Sequence, residues 1–238
     1  MPPIEGMHLM KLVFIHGAGS SSLSSYYQLR HFRNAKALDL PGHPNGRPCV
    51  SIDGYLEWVR GFITARRYKD VILCGHSMGG AIAIQHALKY PDEIRGLILI
   101  GTGAKLRVHP DYLEQCRNPG DNNREWIQHQ ENYFTGVEYD IQRVLMQRAQ
   151  EIGPQVELND LLACDAFDVM DKIENIKLPT LILCGDKDQM TPIKYADYLS
   201  EKIHNAQKHV IADAEHFAQL QNYRQVNARI EEFVNSIK

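Results

Sequence analysis

A serine flanked by glycines, in the stretch Gly75-His76-Ser77-Met78-Gly79, is the first group in this sequence that could do chemistry. It directly follows an apolar run at residues 71–74 that predicts a strand, and a helical pattern begins near Met78. A G-x-S-x-G serine between a strand and a helix stands exposed above the sheet as a nucleophile. We interpret Ser77 as a candidate nucleophile; the alternative is a glycine-rich helix start that the serine caps.

A serine hydroxyl is a weak nucleophile that needs a base, and the base needs an acid to orient it. Among eleven histidines we select His216, because it follows the last predicted strand and so lies at the same sheet edge as Ser77. Asp186 and Asp188 both follow the preceding strand, and Asp213 is a third candidate for the acid. The residues alone do not separate Asp186 from Asp188.

The stretch His16-Gly17-Ala18-Gly19 follows the first predicted strand. A glycine-flanked loop there can aim a backbone N–H at a developing oxyanion; the alternative is an ordinary strand–helix turn. The sequence contains no G-x-G-x-x-G, no G-x-x-x-x-G-K-[ST] and no H-E-x-x-H. Its five cysteines include no C-x-x-C pair, so we expect neither a metal nor a cofactor.

Short apolar runs alternate with helical patterns along the chain, which favours an α/β fold with a mainly parallel sheet of about six strands. The predicted strands span residues 10–15, 35–39, 71–75, 97–101, 180–185 and 208–212. The predicted helices span about 22–33, 51–67, 78–90, 192–204 and 217–237. Residues 105–172 contain only helical patterns and are too long for a loop, so we predict an inserted helical unit between the fourth and fifth strands.

Length, composition and charge limit the class of protein. The 238 residues, 44% of them hydrophobic and 23% charged, correspond to about 1.6 domains, which favours one large domain or one domain with an insertion. A net charge of −3 with scattered basic residues indicates neither nucleic acid nor anionic membrane as a partner. No apolar run approaches the ~20 residues that span a bilayer. The first eleven residues lack the features of a signal peptide, so a cytoplasmic protein is expected.

Taken in order, these motifs resemble the α/β-hydrolase superfamily, specifically its small serine carboxylesterases with a helical cap. The matching residues are the 16–19 loop, Asp39-Leu40-Pro41-Gly42-His43, the 75–80 turn, Gly185-Asp186-Lys187-Asp188 with Pro192, and His216. The resemblance implies that Asp188, not Asp186, is the acid of the triad. It also implies an oxyanion hole formed by the amides of Ala18 and Met78, and a strand order of 2-1-3-4-5-6.

The resemblance further implies a serine hydrolase that cleaves small-molecule carboxylic esters with short-to-medium acyl chains through an acyl-enzyme. Residues 1–104 and 173–238 would form the core and 105–172 the cap, or lid. The cap residues that could line the acyl pocket are Trp126, Tyr133, Phe134, Leu145, Met146, Leu162 and Phe167. Hydrolysis of acyl thioesters of the CoA type and hydrolysis of carbon–carbon bonds remain alternatives on the same scaffold, as does a ligand receptor without catalysis.

Overall fold

Six parallel strands form the sheet that organises the molecule. The computed structural model describes residues 10–237, so the chain start on which the signal-peptide expectation depends lies mostly outside the described residues. The strands are β1 (Lys11–Ile15), β2 (Ala35–Leu38), β3 (Val71–His76), β4 (Gly96–Ile100), β5 (Thr180–Gly185) and β6 (Ala206–Ile211), in the order β2-β1-β3-β4-β5-β6. The predicted fold class and the predicted strand order are confirmed.

Helices connect the strands and cover both faces of the sheet. They are α1 (Tyr26–His31), α2 (Ile52–Ala65), α3 (Met78–Lys89), α4 (Pro110–Arg117), α5 (Arg124–Tyr133), α6 (Tyr139–Ile152), α7 (Pro154–Asp165), α8 (Ile193–Lys202), α9 (Ala218–Gln221) and α10 (Tyr223–Ser236). Between residues 10 and 237, no helix has both the length and the apolar character needed to cross a bilayer.

The two faces of the sheet bury alternate residues of each strand. On β1, Val13 and Ile15 pack into the cluster that contains buried residues of α2, α3 and α8, whereas Leu12 and Phe14 pack with those of α10. Parallel strands covered on both faces must be apolar on both sides, which explains the apolar runs of β3, β4 and β5. The edge strand β6 has exposed residues and no such run. The loops beyond the strand ends therefore rest on a sheet that is packed on both faces.

The first and last predicted helices each divide in two. Residues 22–25 form a 3₁₀ turn before α1, and the expected helix over 217–237 breaks at Asn222, whose φ of −127° and ψ of 56° are not helical. The Asn222 side chain donates to the carbonyl of Ala212 at 3.0 Å, tying the break to the end of β6. The apolar periodicity continues through this position and so does not reveal the break.

The segment between β4 and β5 contributes four of these helices, α4 to α7. An isolated antiparallel bridge between Lys105 and Asp168 brings the two ends of the segment together, and the two side chains form an ion pair at 2.5 Å. The segment thus leaves and re-enters the α/β core at one place.

Candidate active site

Ser77 lies in a strained turn between β3 and α3. Its φ of 52° and ψ of −117° are rare for a residue with a side chain and cost on the order of 1–3 kcal/mol. Backbone contacts hold it there: the Ser77 amide donates to the carbonyl of Ile100 at 3.0 Å, and the Thr102 hydroxyl donates to the carbonyl of Ser77 at 2.8 Å. The neighbouring strand β4 therefore supports the conformation of the serine.

The glycines around Ser77 are required by close backbone approach. A Cβ atom at Gly75 would lie 2.2 Å from the carbonyl oxygen of Gly79, and one at Gly79 would lie 2.1 Å from that of Ile15. Both distances are far below any contact that a carbon atom tolerates. The G-x-S-x-G spacing is thus explained by the packing of α3 against β1 and β3.

His216 and Asp188 meet at the carboxyl ends of the last two strands. The Nδ1 atom of His216 lies 2.9 Å from Oδ2 of Asp188, and both side chains are almost fully buried. Asp188 also accepts hydrogen bonds from the amides of Met190 and Thr191 and from the Thr191 hydroxyl. Burial alone would raise the pKa of the Asp188 carboxyl, but the charge of His216 and these hydrogen bonds hold it below its usual value.

The two other candidate acids, Asp186 and Asp213, pair with groups other than the His216 imidazole. Asp186 accepts a hydrogen bond from the amide of Ala214 at 3.1 Å, and Asp213 forms an exposed ion pair with Lys187. Asp186 therefore fixes the loop that carries His216, while Asp188 contacts the imidazole itself. This separates the two residues that the sequence pattern left equivalent.

The loop at residues 16–19 lies beside Ser77. A Cβ atom at Gly17 would come within 3.0 Å of the Ser77 Cβ, so only glycine leaves the present spacing undisturbed. Among residues 10–237, no protein acceptor takes a hydrogen bond from the amide of Ala18 or of Met78. Two such amides next to a serine can donate to an oxyanion.

His16 and His76 are buried neutral imidazoles next to this loop. His16 accepts from the Leu40 amide at Nε2 and donates from Nδ1 to the Gly17 carbonyl, which fixes its tautomer. Burial lowers the pKa of each ring to about 3. Neither histidine is therefore a proton acceptor near neutral pH.

A cavity of about 410 Å³ opens above Ser77 and His216. Its walls come from the 16–19 loop and from helices α4, α5 and α7, and from the loop before α8. Of the predicted pocket residues, Tyr133 and Phe134 line it.

The other five predicted pocket residues do not line this cavity. The Trp126 indole is buried inside the inserted segment, where it donates to Glu157, and Phe167 packs into the core beneath it. Leu145 and Met146 pack around Phe134 and Phe217. Leu162 is exposed and lines a separate groove with Phe167. The periodicity of the helices identified apolar faces but not which of them turn towards Ser77.

Sequence reasoning missed the buried carboxyl groups Glu157 and Asp160 of α7. Glu157 lines the cavity and accepts hydrogen bonds from Trp126 Nε1 and Gln130 Nε2, each at 2.6 Å. Burial raises the pKa of Glu157 to about 7. The only signal in the sequence was the position of these two acidic residues among the apolar residues of the stretch between Val156 and Cys164. Within residues 10–237, no three His, Cys, Asp or Glu side chains are grouped as metal ligands would be.

A serine on a sharp turn after a central parallel strand, with an aspartate-bound histidine at the same sheet edge, defines the class of α/β proteins built around a nucleophile elbow. The chain matches the alpha/beta hydrolase family over residues 12–229, and it belongs to that family.

Individual relatives cover most of the chain. A pimeloyl-[acyl-carrier protein] methyl ester esterase of Neisseria meningitidis serogroup B is 27% identical over 217 residues, which are 83% of this chain and 81% of the relative. The solved structure of a thermophilic esterase aligns with a TM-score of 0.82 at 27% identity, covering 95% of this chain and 90% of that one. A lipase-esterase related protein from Clostridium acetobutylicum aligns with a TM-score of 0.78 at 26% identity over 95% of both chains.

Proposed function

We propose that this protein is a serine hydrolase that cleaves carboxylic esters with short-to-medium acyl chains through an acyl-enzyme. The observation that carries the proposal is the hydrogen bond of 2.9 Å between His216 Nδ1 and Asp188 Oδ2, in a cavity that Ser77 also lines. Membership of the alpha/beta hydrolase family and the esterase names of the relatives support the same reaction.

In the proposed reaction, Ser77 Oγ attacks the ester carbonyl while His216 Nε2 takes the serine proton. Asp188 holds the Nδ1–H of the ring, so that Nε2 is the free acceptor, and stabilises the imidazolium that forms. The amides of Ala18 and Met78 donate to the oxyanion. His216 then returns the proton to the leaving alkoxide. A water molecule, deprotonated by the same nitrogen, hydrolyses the acyl-enzyme and regenerates Ser77.

We assign residues 105–172 the role of a cap that limits the acyl group. Side chains from α4, α5 and α7, including Tyr112, Tyr133 and Leu161, line the cavity opposite Ser77. A cavity of about 410 Å³ suits a small or medium acyl group better than a long chain. The cytoplasmic location expected from the sequence stays a prediction within this proposal.

The test is the rate of hydrolysis of p-nitrophenyl esters with two to about twelve acyl carbons. We expect the rate to peak at short or medium chains, and Ser77→Ala and His216→Ala to lower kcat by at least ~10⁴-fold. Ser200→Ala, in helix α8 but outside the cavity lining, is the matched serine control and should retain the rate. Rates that survive in Ser77→Ala would contradict the proposal.

A receptor without catalysis is tested by covalent labelling with a fluorophosphonate. An activated Ser77 should be labelled in the unmodified protein and not in Ser77→Ala. A folded protein with neither labelling nor hydrolysis would instead favour the receptor.

Cleavage of an acyl thioester, or of an ester on a carrier, is the second candidate. The specific observation in its favour is that Arg107 and Lys194 line the cavity, where they could meet a phosphorylated carrier. Acyl-CoA and the p-nitrophenyl ester of the same acid should be compared in the unmodified protein and in Arg107→Gln. A loss of kcat/KM confined to the CoA substrate would favour this candidate, whereas equal effects would favour simple esters.

A further inference from the structure

Asp160, on helix α7 of the inserted segment, has a fully buried carboxylate that joins three parts of the α/β core. Its Oδ2 atom accepts from the Gly19 amide at 3.0 Å and contacts His43 Nε2 at 2.7 Å, while its Oδ1 atom accepts from the Tyr55 hydroxyl at 2.6 Å. The three partners come from the loop after β1, the loop after β2 and helix α2. One side chain therefore fixes the inserted segment against all of them.

The contact with Gly19 acts on the loop that we assign to the oxyanion hole. Gly19 has a φ of +59°, a conformation that favours glycine, and its amide belongs to the peptide unit directly after Ala18. Holding that amide sets the orientation of the peptide plane on the carboxyl side of Ala18. The Ala18 N–H lies one peptide earlier, in the unit whose Gly17 carbonyl accepts from His16. The Gly19 anchor therefore restrains this loop from the side opposite to His16.

His43 contributes a charge to the same cluster. Its Nδ1 faces the carbonyls of Leu40 and Pro41, at 3.2 and 3.1 Å, and its Nε2 faces the Asp160 carboxylate, so both nitrogens are donors. Burial by itself lowers the pKa of His43, but the hydrogen bond and charge of Asp160, together with the hydrogen bonds to the Pro41 and Leu40 carbonyls, outweigh this and raise it. The other groups that face the ring are His16, at 4.7 Å between ring centroids, and Tyr55.

A buried ion pair of this kind is weak evidence for stability, because removing two charges from water offsets most of their attraction. Apolar residues of similar size would fill the space about as well. An apolar cluster could not accept a hydrogen bond from the Gly19 amide, and so it could not hold that amide in one direction. The chemistry of the cluster thus indicates that it positions the Gly19 amide more than it stabilises the folded protein.

Glu157, one turn earlier on α7, contacts the same glycine from the cavity side. A Cβ atom at Gly19 would lie 2.8 Å from Glu157 Cγ. Helix α7 therefore holds the loop by the hydrogen bond that Asp160 accepts from the Gly19 amide and by van der Waals contact with Glu157.

We propose that Asp160 is a positioning residue for the oxyanion loop, acting from the inserted segment through the amide of Gly19. This inference rests on the proposed function, because it concerns the rate of the reaction assigned to Ser77. Asp160 does not touch the reacting atoms; it makes the arrangement of the Ala18 amide depend on the docking of α7.

The experiment compares Asp160→Ala and Asp160→Asn by kcat and KM on a p-nitrophenyl ester, with each rate divided by the number of sites that a fluorophosphonate titrates. Asp160→Ala removes the acceptor, so kcat per titrated site should fall about 10²-fold, with KM within about threefold. Asp160→Asn keeps one oxygen for the Gly19 amide and should recover kcat to within about tenfold of the unmodified protein. The titration confines the comparison to folded molecules with a reactive serine, even where the alanine variant is unstable.

Two further variants separate positioning from stability. Ile230→Ala creates a cavity on the opposite face of the sheet and should lower the midpoint of thermal unfolding without changing kcat. Tyr55→Phe removes the bond to the other carboxylate oxygen and should leave kcat within about twofold.

An unchanged kcat per titrated site in Asp160→Ala would overturn the inference, as would an equal fall of kcat in Ile230→Ala. Equal losses of kcat in the Asn and Ala variants would also contradict it. Failure of the proposed function is distinct, because the unmodified protein would then show no Ser77-dependent rate at all.

Discussion

At the scale of single residues, Ser77 has a strained backbone conformation, and we propose that its hydroxyl is the nucleophile. The glycine-flanked motif made the serine predictable, because only a tight turn needs glycines at both flanks. The assignment of the Ala18 and Met78 amides to an oxyanion hole stays a prediction from the family resemblance, since a backbone donor leaves no mark of its own on the side-chain pattern.

The strain at Ser77 gives a prediction on stability. Ser77→Gly should be more stable than Ser77→Ala by about 1–2 kcal/mol, because glycine adopts a positive φ without a steric penalty and alanine does not. Urea unfolding of both variants measures the difference. At Ser200, within the helix α8, the order should reverse by about 1 kcal/mol. Equal stabilities of the two variants at position 77 would show that the turn is not strained.

The choice between the two aspartates after β5 gives a second prediction. Asp188→Asn should lower kcat by at least ~10³-fold, because the amide can hold the wrong tautomer of His216. Asp186→Asn keeps an oxygen for the Ala214 amide and should lower kcat by less than about tenfold. Steady-state kinetics on one p-nitrophenyl ester compares them. The reverse order of effects would move the assignment of the acid to Asp186.

At the scale of elements, the sheet positions the site by bringing α3 into contact with β1. The alternation of apolar runs and helical patterns was enough to predict the six strands and their class of sheet. The break at Asn222 and the faces that α4 to α7 turn towards Ser77 were not predictable, because both depend on contacts between segments distant in sequence.

The approach of α3 to β1 gives a third prediction. Gly79→Ala should destabilise the protein by about 3 kcal/mol or more, because the new methyl group would meet the Ile15 backbone, which cannot move aside as a side chain could. Gly61→Ala, in the middle of α2 with nothing within 4 Å of the added atom, is the matched control and should be neutral or stabilising by up to ~1 kcal/mol. Thermal unfolding of both variants tests the contrast. Similar losses would mean that helix content, not the close approach, decides the effect.

At the scale of the whole molecule, buried titratable groups make the free energy of unfolding depend on pH. Glu157 is the clearest case, because its surroundings are uncharged apart from Asp160. The groups that face it are Asp160 on the same helix, Cys116 on α4, and Trp126, Gln130 and Tyr133 on α5.

The raised pKa of Glu157 gives a fourth prediction. The folded state keeps the proton up to about pH 7, whereas the unfolded chain loses it near 4.5, so this group lowers the free energy of unfolding as the pH rises between these values. The loss should reach about 3 kcal/mol and then stay constant. Glu157→Gln lacks this contribution, so its stability relative to the unmodified protein should increase from pH 4.5 to 7. Urea unfolding across this range measures it, and parallel curves for the two proteins would contradict the assignment.

The inserted segment departs and returns at a single point, where Lys105 pairs with Asp168. Because the segment is attached at one point, it could be replaced as a whole, in evolution or in engineering, without changes to the six strands. The hydrogen bond between Asp160 and the Gly19 amide crosses this boundary. If Asp160 positions the oxyanion loop as we propose, a transplanted segment must bring its own acceptor for the Gly19 amide to keep the rate.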